Sequence, residues 1–299
     1  MLDESILKDV TGEEYIPVAY APDDKYVWLT LISMVSVAEN TKQKIDFIIL
    51  YSYLSDESMK ILDFINTYEH CRISYIQINM NIFKNFKNAS WVTVQAWFRV
   101  LIPSIFNYTN KAIYLDCDTM LRGDIKEFYD IDIDDVLVGA VTDIWNIKSN
   151  AKRLKMKSDS YFNSGVLLIN CKKWREENLF EKIKQNAIDN PDIKHGDQDT
   201  LNFVIDENKK MLSKRYNYLE TWWNNYYKEY EGDDLTDYEQ SAQDPLIVHF
   251  TAFKPYEPKS RHSRRKEWWN YAKKTPYYTK LLERYKDDSE RYVDSLPQK

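Results

Sequence analysis

Two aspartates, Asp116 and Asp118, close the apolar run of the stretch "AIYLDCDTML" (Ala112 to Leu121). On an extended backbone, residues i and i+2 project to the same side, so both carboxylates can face one ion. Cys117 between them then points into the packed interior. Oxygen ligands select a hard cation, Mg²⁺ or Mn²⁺, and Mn²⁺ accepts an imidazole more readily. The four histidines are His70, His195, His249 and His262. His249 ends the apolar run "PLIVHF", and Lys254 stands five residues on, a natural partner for a diphosphate. Three readings fit the pair: a metal clamp on a diphosphate, half of a phosphatase site with an aspartate nucleophile, or a strand that ends in acids. The spacing alone decides little, since it recurs at Asp130/Asp132, Asp132/Asp134 and Asp197/Asp199. The pairs in "YDIDIDDV" read as a solvated loop. The phosphatase motif D-x-D-x-T/V would need Thr or Val where Met120 stands. It also normally opens its fold, whereas three strand–helix units precede this pair.

The elements around the pair alternate. Strands are predicted at Glu14–Ala21, Asp46–Leu54, Arg72–Asn79, "KAIYLD", Val136–Asp143 and Gly165–Cys171. Helices are predicted at Tyr26–Asn40, Asp56–Glu69, 90–106 (helical up to Pro103), 172–189 and 197–208. Strands alternating with helices imply an α/β fold with a mainly parallel sheet, and ligands collect beyond the carboxyl ends of such strands. Asp23, Asp116, Asp118 and Asp143 all fall just past predicted strand ends. Turn preference accounts for one or two acids there, not four.

The chain has 299 residues, with 43% hydrophobic and 29% charged, within globular limits. Its 23 Tyr and 9 Trp suit either a sugar- or base-binding cleft or a tyrosine-heavy core. A net charge of −6 argues against a general nucleic-acid binder. Residues 254–286 carry eleven Lys/Arg against three acids, a net +8 that leaves −14 elsewhere. Three cysteines without C-x-x-C suggest neither a disulfide framework nor a cysteine zinc site, and fit a reducing compartment. The acidic opening "MLDESILKDV" is no signal peptide, and the uncharged run Tyr26–Ala38 falls short of the roughly 20 residues of a bilayer span. The expectation is a cytoplasmic protein, with a boundary near Pro255–Pro258 dividing a catalytic domain (1–255) from a basic, aromatic, helical tail (256–299).

From Tyr15 to Tyr285 the chain resembles the family 8 retaining glycosyltransferases, the class of bacterial lipooligosaccharide galactosyltransferases and lipopolysaccharide glucosyltransferases. The carrying segments, in the family's order, are "VAYAPDDKY", "AWFRVLIPSIF", "AIYLDCDTML", "VGAVTD", "YFNSGVLLINCKKWR", "HGDQDTLN" and "VHFTAFKP". The resemblance implies a GT-A type nucleotide-sugar-binding fold and transfer of galactose or glucose from a UDP-sugar to a saccharide or glycosylated protein acceptor. Asp116, Asp118 and His249 would ligate Mn²⁺, with Mg²⁺ the alternative, against the UDP diphosphate. Ala21, Asp23 and Tyr26 would hold the uracil, Tyr26 by stacking, and Lys254 the diphosphate. Cys117 is counted with the substrate-binding segment. Arg99, Asp143, Asn163, Ser164, Asp197 and Gln198 would surround the donor sugar. Of these, Asp143, Asp197 and Gln198 are the catalytic candidates.

A cation and a lysine stabilise departing UDP more in the transition state than in the ground state, which suits these roles. The plainer readings are a helix cap for Asp197, a turn for Asp143 and a surface ion pair for Arg99. Retention through a covalent intermediate would need a carboxylate nucleophile. Gln198, an amide, would face the anomeric carbon in this family, so the resemblance favours a front-face mechanism. A non-catalytic UDP-sugar-binding relative is the alternative.

The family pattern H-x-x-G-x-x-K-P is altered here: Ala252 replaces the glycine, and one residue is missing before Lys254. Lys25 stands where the family often has asparagine. The tail "SRRKEWWNYAKKTPYY" resembles tails of bacterial members. Its mixture of basic and aromatic residues suits peripheral contact with an anionic membrane at the inner face of the plasma membrane. Packing of Trp268 and Trp269 onto the catalytic domain is the competing expectation.

Overall fold

The computed structural model describes residues 15–86, 93–145, 147–190, 192–220, 230–257 and 260–284. Glu14, residues 90–92 of the predicted third helix, Pro258 at the predicted boundary and the tail from 285 lie outside them.

The strands are β1 (Tyr15–Tyr20), β2 (Lys44–Tyr51), β3 (Cys71–Gln77), β4 (Lys111–Leu115), β5 (Thr119–Leu121), β6 (Val138–Thr142), β7 (Phe162–Asn170), β8 (Lys209–Leu212), β9 (Tyr218–Leu219) and β10 (Ile247–His249). Seven form a central sheet in the order β3-β2-β1-β4-β7-β6-β8. Neighbours are parallel except at β7, which runs antiparallel to both β4 and β6. The sheet is therefore mainly parallel, as the alternating pattern predicts. Both of its faces are covered. Ile113 and Leu115 of β4 enter one core cluster, and Ala112 and Tyr114 the other. Burial on both faces is why these strands read as unbroken apolar runs.

A second sheet, β5-β10-β9, lies outside the predicted pattern. Its strands have two or three residues each, too short for a period-2 signal. Pairing of His249 with Thr119 brings the two halves of the proposed metal site together.

The predicted helix at 56–69 is an α-helix (Asp56–Leu62) that tightens into a 3₁₀ turn (Asp63–Thr67). The helix predicted over 90–106, up to Pro103, is a 3₁₀ helix over Val94–Leu101 followed by an α turn at Ile102–Ile105, with Pro103 in the first turn of the latter.

The helix Val27–Asn40 is buried from Val27 to Ala38. A helix apolar all round needs covering on every side. Part of that cover is the C-terminal helix Arg265–Ala272, whose Trp268 and Trp269 are fully buried in the same cluster. The hydroxyls of the helix are bonded. Ser33 joins Tyr20 and Thr119, and Ser36 Oγ accepts from the Leu121 amide at 2.8 Å. These bonds seat the helix against β1 and β5, directly behind the aspartate pair.

Strand β7 begins three residues before the predicted Gly165. Its pairing with β6 shifts register between Val141↔Asn163 and Ala140↔Leu167. Ser164, Gly165 and Val166 stand in a bulge on that edge. Bulges re-aim side chains beside active sites, and this one faces the ends of β4 and β10.

Candidate active site

Asp116 follows β4 and Asp118 immediately precedes β5, while His249 ends β10. One ligand atom from each lies within 4.8 Å of the other two. His249 Nε2 is 3.2 Å from Asp118 Oδ1 and 3.7 Å from Asp116 Oδ2. Ligands about 2.1 Å from a shared divalent ion lie roughly 3 to 4 Å apart, so these separations suit one ion. Two carboxylates and one imidazole are a donor set for Mn²⁺ or Mg²⁺ rather than a thiophilic metal. Asp116, with 28% of its side chain exposed, opens the cluster to solvent.

Gly165 makes room for this cluster. A Cβ there would overlap Cε1 of His249 and stand 2.5 Å from Asp116 Oδ2 and 3.0 Å from Asn163 Oδ1. The amide N–H of Asp116 donates to the Gly165 carbonyl at 2.7 Å, which fixes the strand end against the bulge.

Positive charge surrounds the cluster. The Lys254 ammonium pairs with Asp118 Oδ2 and donates to the Phe250 carbonyl. Burial by itself would raise the Asp118 pKa, but Lys254 and His249 outweigh it and hold the carboxyl well below its usual range. Arg99 is 4% exposed, so the surface-pair reading fails. Its guanidinium reaches Asp116 Oδ1 at 3.1 Å and Asp197 Oδ2 at 3.2 Å, and donates to Ser164 Oγ and the Ser164 carbonyl.

Asp197 opens the helix Asp197–Ile205, but Gly196 is the residue at its cap. The Asp197 carboxylate instead accepts from Ser164 Oγ at 3.2 Å. Gln198 is held at both ends of its amide. Oε1 accepts from the Ser164 N–H at 3.0 Å, and Nε2 donates to Asp143 Oδ2 at 3.0 Å. Asp143 also accepts from Asn163 Nδ2 at 3.4 Å and is 3% exposed, so it is no ordinary turn residue. Burial raises both Asp143 and Asp197 to about 6, for Asp197 against the pull of Arg99.

Asp116, Asp118, His249, Lys254, Arg99, Asn163, Ser164, Asp197, Gln198 and Asp143 thus form one connected group. Cys117 is outside it. Its side chain is buried in the core and bonded to Thr30, so any donor contact at this position falls to the backbone. Asp23 Oδ1 accepts from the amides of Lys25 and Tyr26, so one carboxylate oxygen shapes the turn after β1. Burial raises the Tyr26 phenol, while Lys254 acts in opposition, which puts that ring beside the site lysine. Ala21 packs at the end of β1 against the other core cluster.

Ala252 has φ +60°, the left-handed region that glycine occupies without cost. The altered loop therefore keeps a backbone shape that suits glycine, now carried by an alanine.

Sequence reasoning missed several residues. Tyr114 donates to Asp116 Oδ1 at 2.7 Å and lies under the Arg99 guanidinium. Asp199, the last acid of "DQD", is fully buried and holds Arg153 by two bonds, Tyr161, and the amides of Lys194 and His195. Asn217, in a loop without periodicity, places its Oδ1 3.0 Å from His249 Nδ1. Gly165, the last residue of "FNSG", and Asp199, in "DQD", had a visible signal. A cavity of about 620 Å³ lined by Tyr15, Tyr108, Lys111 and Tyr129 lies at the opposite, amino ends of β1 and β4 and contains none of this group.

Residues 17–259 match the model of the family described as Glycosyl transferase family 8. A Haemophilus influenzae relative is 30% identical over 213 residues, 68% of this chain and 63% of its own length. The chain thus spans less than two thirds of that protein. A lipopolysaccharide 1,2-glucosyltransferase of Escherichia coli is 28% identical over 269 residues, covering 87% of this chain and 76% of that one. Among solved structures, the galactosyltransferase LgtC, in complex with donor and acceptor sugar analogs, superposes with a TM-score of 0.76. It is 21% identical and covers 89% of this chain and all of that one. That likeness carries the GT-A fold.

Proposed function

The chain belongs to glycosyl transferase family 8, and on that premise we propose that it is a metal-dependent, retaining hexosyltransferase moving glucose or galactose from a UDP-sugar to a glycan or glycoprotein acceptor. The observation that carries this reading is the convergence of Asp116, Asp118 and His249 within 4.8 Å, with Lys254 beside them. A bound Mn²⁺ or Mg²⁺ would neutralise charge on the departing diphosphate. Lys254 supplies a second positive charge fixed at the same place before the reaction begins, so no reorganisation is needed when the bond breaks. Tyr26, Asp23 and Ala21, at the end of β1, hold the uracil side of the donor.

Asp143 and Asp197 accept hydrogen bonds from donor-sugar hydroxyls, and Arg99 holds Asp197 in place. Asn163 and Ser164 complete that wall. The Gln198 oxygen is already engaged by the Ser164 amide, and a carboxamide so held is a poor nucleophile. This favours front-face transfer, in which a departing phosphate oxygen takes the acceptor proton.

Glucose and galactose differ only at O4. The two kinds of transferase among the similar proteins leave both donors open. We place the catalytic body at residues 1–255; of the tail 256–299, the described Trp268 and Trp269 brace it. Contact with an anionic membrane surface would use the tail's exposed Arg261, Lys273 and Lys280.

Incubation with UDP-glucose, UDP-galactose and other UDP-sugars in Mn²⁺, read by UDP release, tests the proposal. Release from one hexose donor supports it. UDP binding with no donor turned over would establish the non-catalytic alternative.

A further inference from the structure

The ring of a histidine can ligate a metal through Nε2 only if that nitrogen carries a lone pair, and the bond at Nδ1 decides whether it does. His249 is 3% exposed, and its Nδ1 lies 3.0 Å from Asn217 Oδ1. Asn217 is 1% exposed. An asparagine amide could in principle present either end to the ring. Here the neighbours remove the choice. The backbone N–H of Gly165, which can only donate, meets Asn163 Oδ1 at 3.0 Å. On its other side Asn163 Nδ2 faces the Asp143 carboxyl at 3.4 Å. With the oxygen of Asn163 fixed in this way, the Asn217 atom 2.9 Å from it must be the donating Nδ2. Asn217 Oδ1 is then the end that meets His249, and an acceptor there requires a proton on Nδ1.

We propose that Asn217 is a positioning residue that holds His249 as its Nδ1–H tautomer, the orientation being imposed by the Gly165 amide through Asn163. The Nε2 lone pair is thereby directed at the space between Asp116 and Asp118 before any ion arrives. The same two asparagines join the metal side of the site to Asp143 and Gln198 on the sugar side. The inference concerns how the proposed metal site is prepared, and its value for binding rests on that reading.

The tautomer itself is measurable without a metal. In metal-free protein labelled with ¹⁵N-histidine, under mildly alkaline conditions, long-range ¹H–¹⁵N spectra assign the proton to one ring nitrogen. The expected result is Nδ1–H for His249, and an Nε2–H ring in the wild type overturns the proposal. Asn217→Leu removes the acceptor at similar volume. It should mix the tautomers and weaken Mn²⁺ binding about 10- to 100-fold in a titration followed by Mn²⁺ electron paramagnetic resonance. Asn217→Asp restores an acceptor at Nδ1 but sets its second oxygen against Asn163 Oδ1, so it should recover the Nδ1–H tautomer while restoring affinity only in part. An Asn217→Leu protein with the wild-type tautomer and affinity overturns the proposal. A wild type with the Nδ1–H ring that binds no Mn²⁺ upholds the relay and overturns the metal reading instead.

Discussion

Gly165 touches His249 so closely that a methyl group on its Cα would overlap ring atom Cε1. The bulge in β7 and the end of β10 are therefore fitted to each other at the one position where no side chain can stand. Gly165→Ala must push the ring or the Asp116 carboxylate aside. The expected outcome is a folded protein whose Mn²⁺ affinity falls at least about tenfold. Isothermal titration with Mn²⁺ checks this, and an unchanged dissociation constant refutes the cradle.

Asp118 has two partners, Lys254 and His249, and faces the proposed diphosphate. Asp118→Asn keeps the shape and removes the charge. We expect kcat/KM to fall on the order of 10³-fold, the scale of losing one preorganised electrostatic group. Steady-state UDP release with the preferred donor measures it. A loss of less than about tenfold would show that the carboxylate is not part of the machinery.

Asp143 and Asp197 give the substrate-free protein a pH dependence of definite sign. Their folded pKa values, about 6, lie above those of unfolded aspartate. Between roughly pH 4 and 6 the native state then holds more protons than the unfolded one, so these groups make stability fall as pH rises through that window. Measured at pH 4.5, 5.5 and 6.5, the urea midpoints of Asp143→Asn and Asp197→Asn should shift in the variant's favour relative to wild type as pH rises. A constant difference between variant and wild type across the three pH values would refute the raised carboxyls.

Much of the sheet, and the pair at its centre, can be read from residues alone because β1, β2, β4 and β7 are buried on both faces and announce themselves as apolar runs. Asp116, Asp118, Asp143 and Asp197 fall at element ends, where the pattern breaks. The three-stranded sheet cannot be read this way, since β5, β9 and β10 are too short to show a period. The start of β7 is missed because Asn163 and Ser164 interrupt the apolar run after the core residue Phe162, and their burial comes from bonding to Asn217 and Gln198 rather than from apolarity. Asn217 is invisible for the same reason: its role comes from two neighbours 54 and 32 residues away.

Ala252 occupies a left-handed conformation that costs an L-residue roughly 1–2 kcal/mol, while glycine loses about 0.5–1 kcal/mol of that advantage to unfolded-chain entropy. Ala252→Gly should leave the melting temperature unchanged or raise it by about 2 °C, and should not weaken UDP binding. Differential scanning calorimetry decides the first part. A clear fall in melting temperature would mean that the alanine methyl makes contacts worth more than the strain.

The basic tail divides into charges with internal work and charges facing solvent. Arg265 is fully buried and donates to the carbonyls of Pro255 and Ser260, and Arg264 binds Glu267 and the carbonyls of Ala242 and Gln243. Removing everything after Ser260 would strip Trp268 and Trp269 from the core, at roughly 3–5 kcal/mol for each. Membrane contact is therefore better tested by Arg261→Glu with Lys273→Glu, both exposed. Flotation with anionic vesicles should fall several-fold for the double variant. Equal flotation by wild type and variant excludes these two charges as the membrane contact.

The order in which the chain is made gives the C-terminal helix a further meaning. The helix Val27–Asn40 leaves the ribosome more than two hundred residues before Trp268 and Trp269, which cover part of its outer face. His249 and Lys254 follow Asp116 and Asp118 by more than a hundred residues. A nascent chain therefore carries a partly uncovered greasy helix and half a metal site while the intervening residues are made, and both are completed between His249 and Trp269. Chains stalled just before Arg265 should bind a hydrophobic dye that the finished protein rejects.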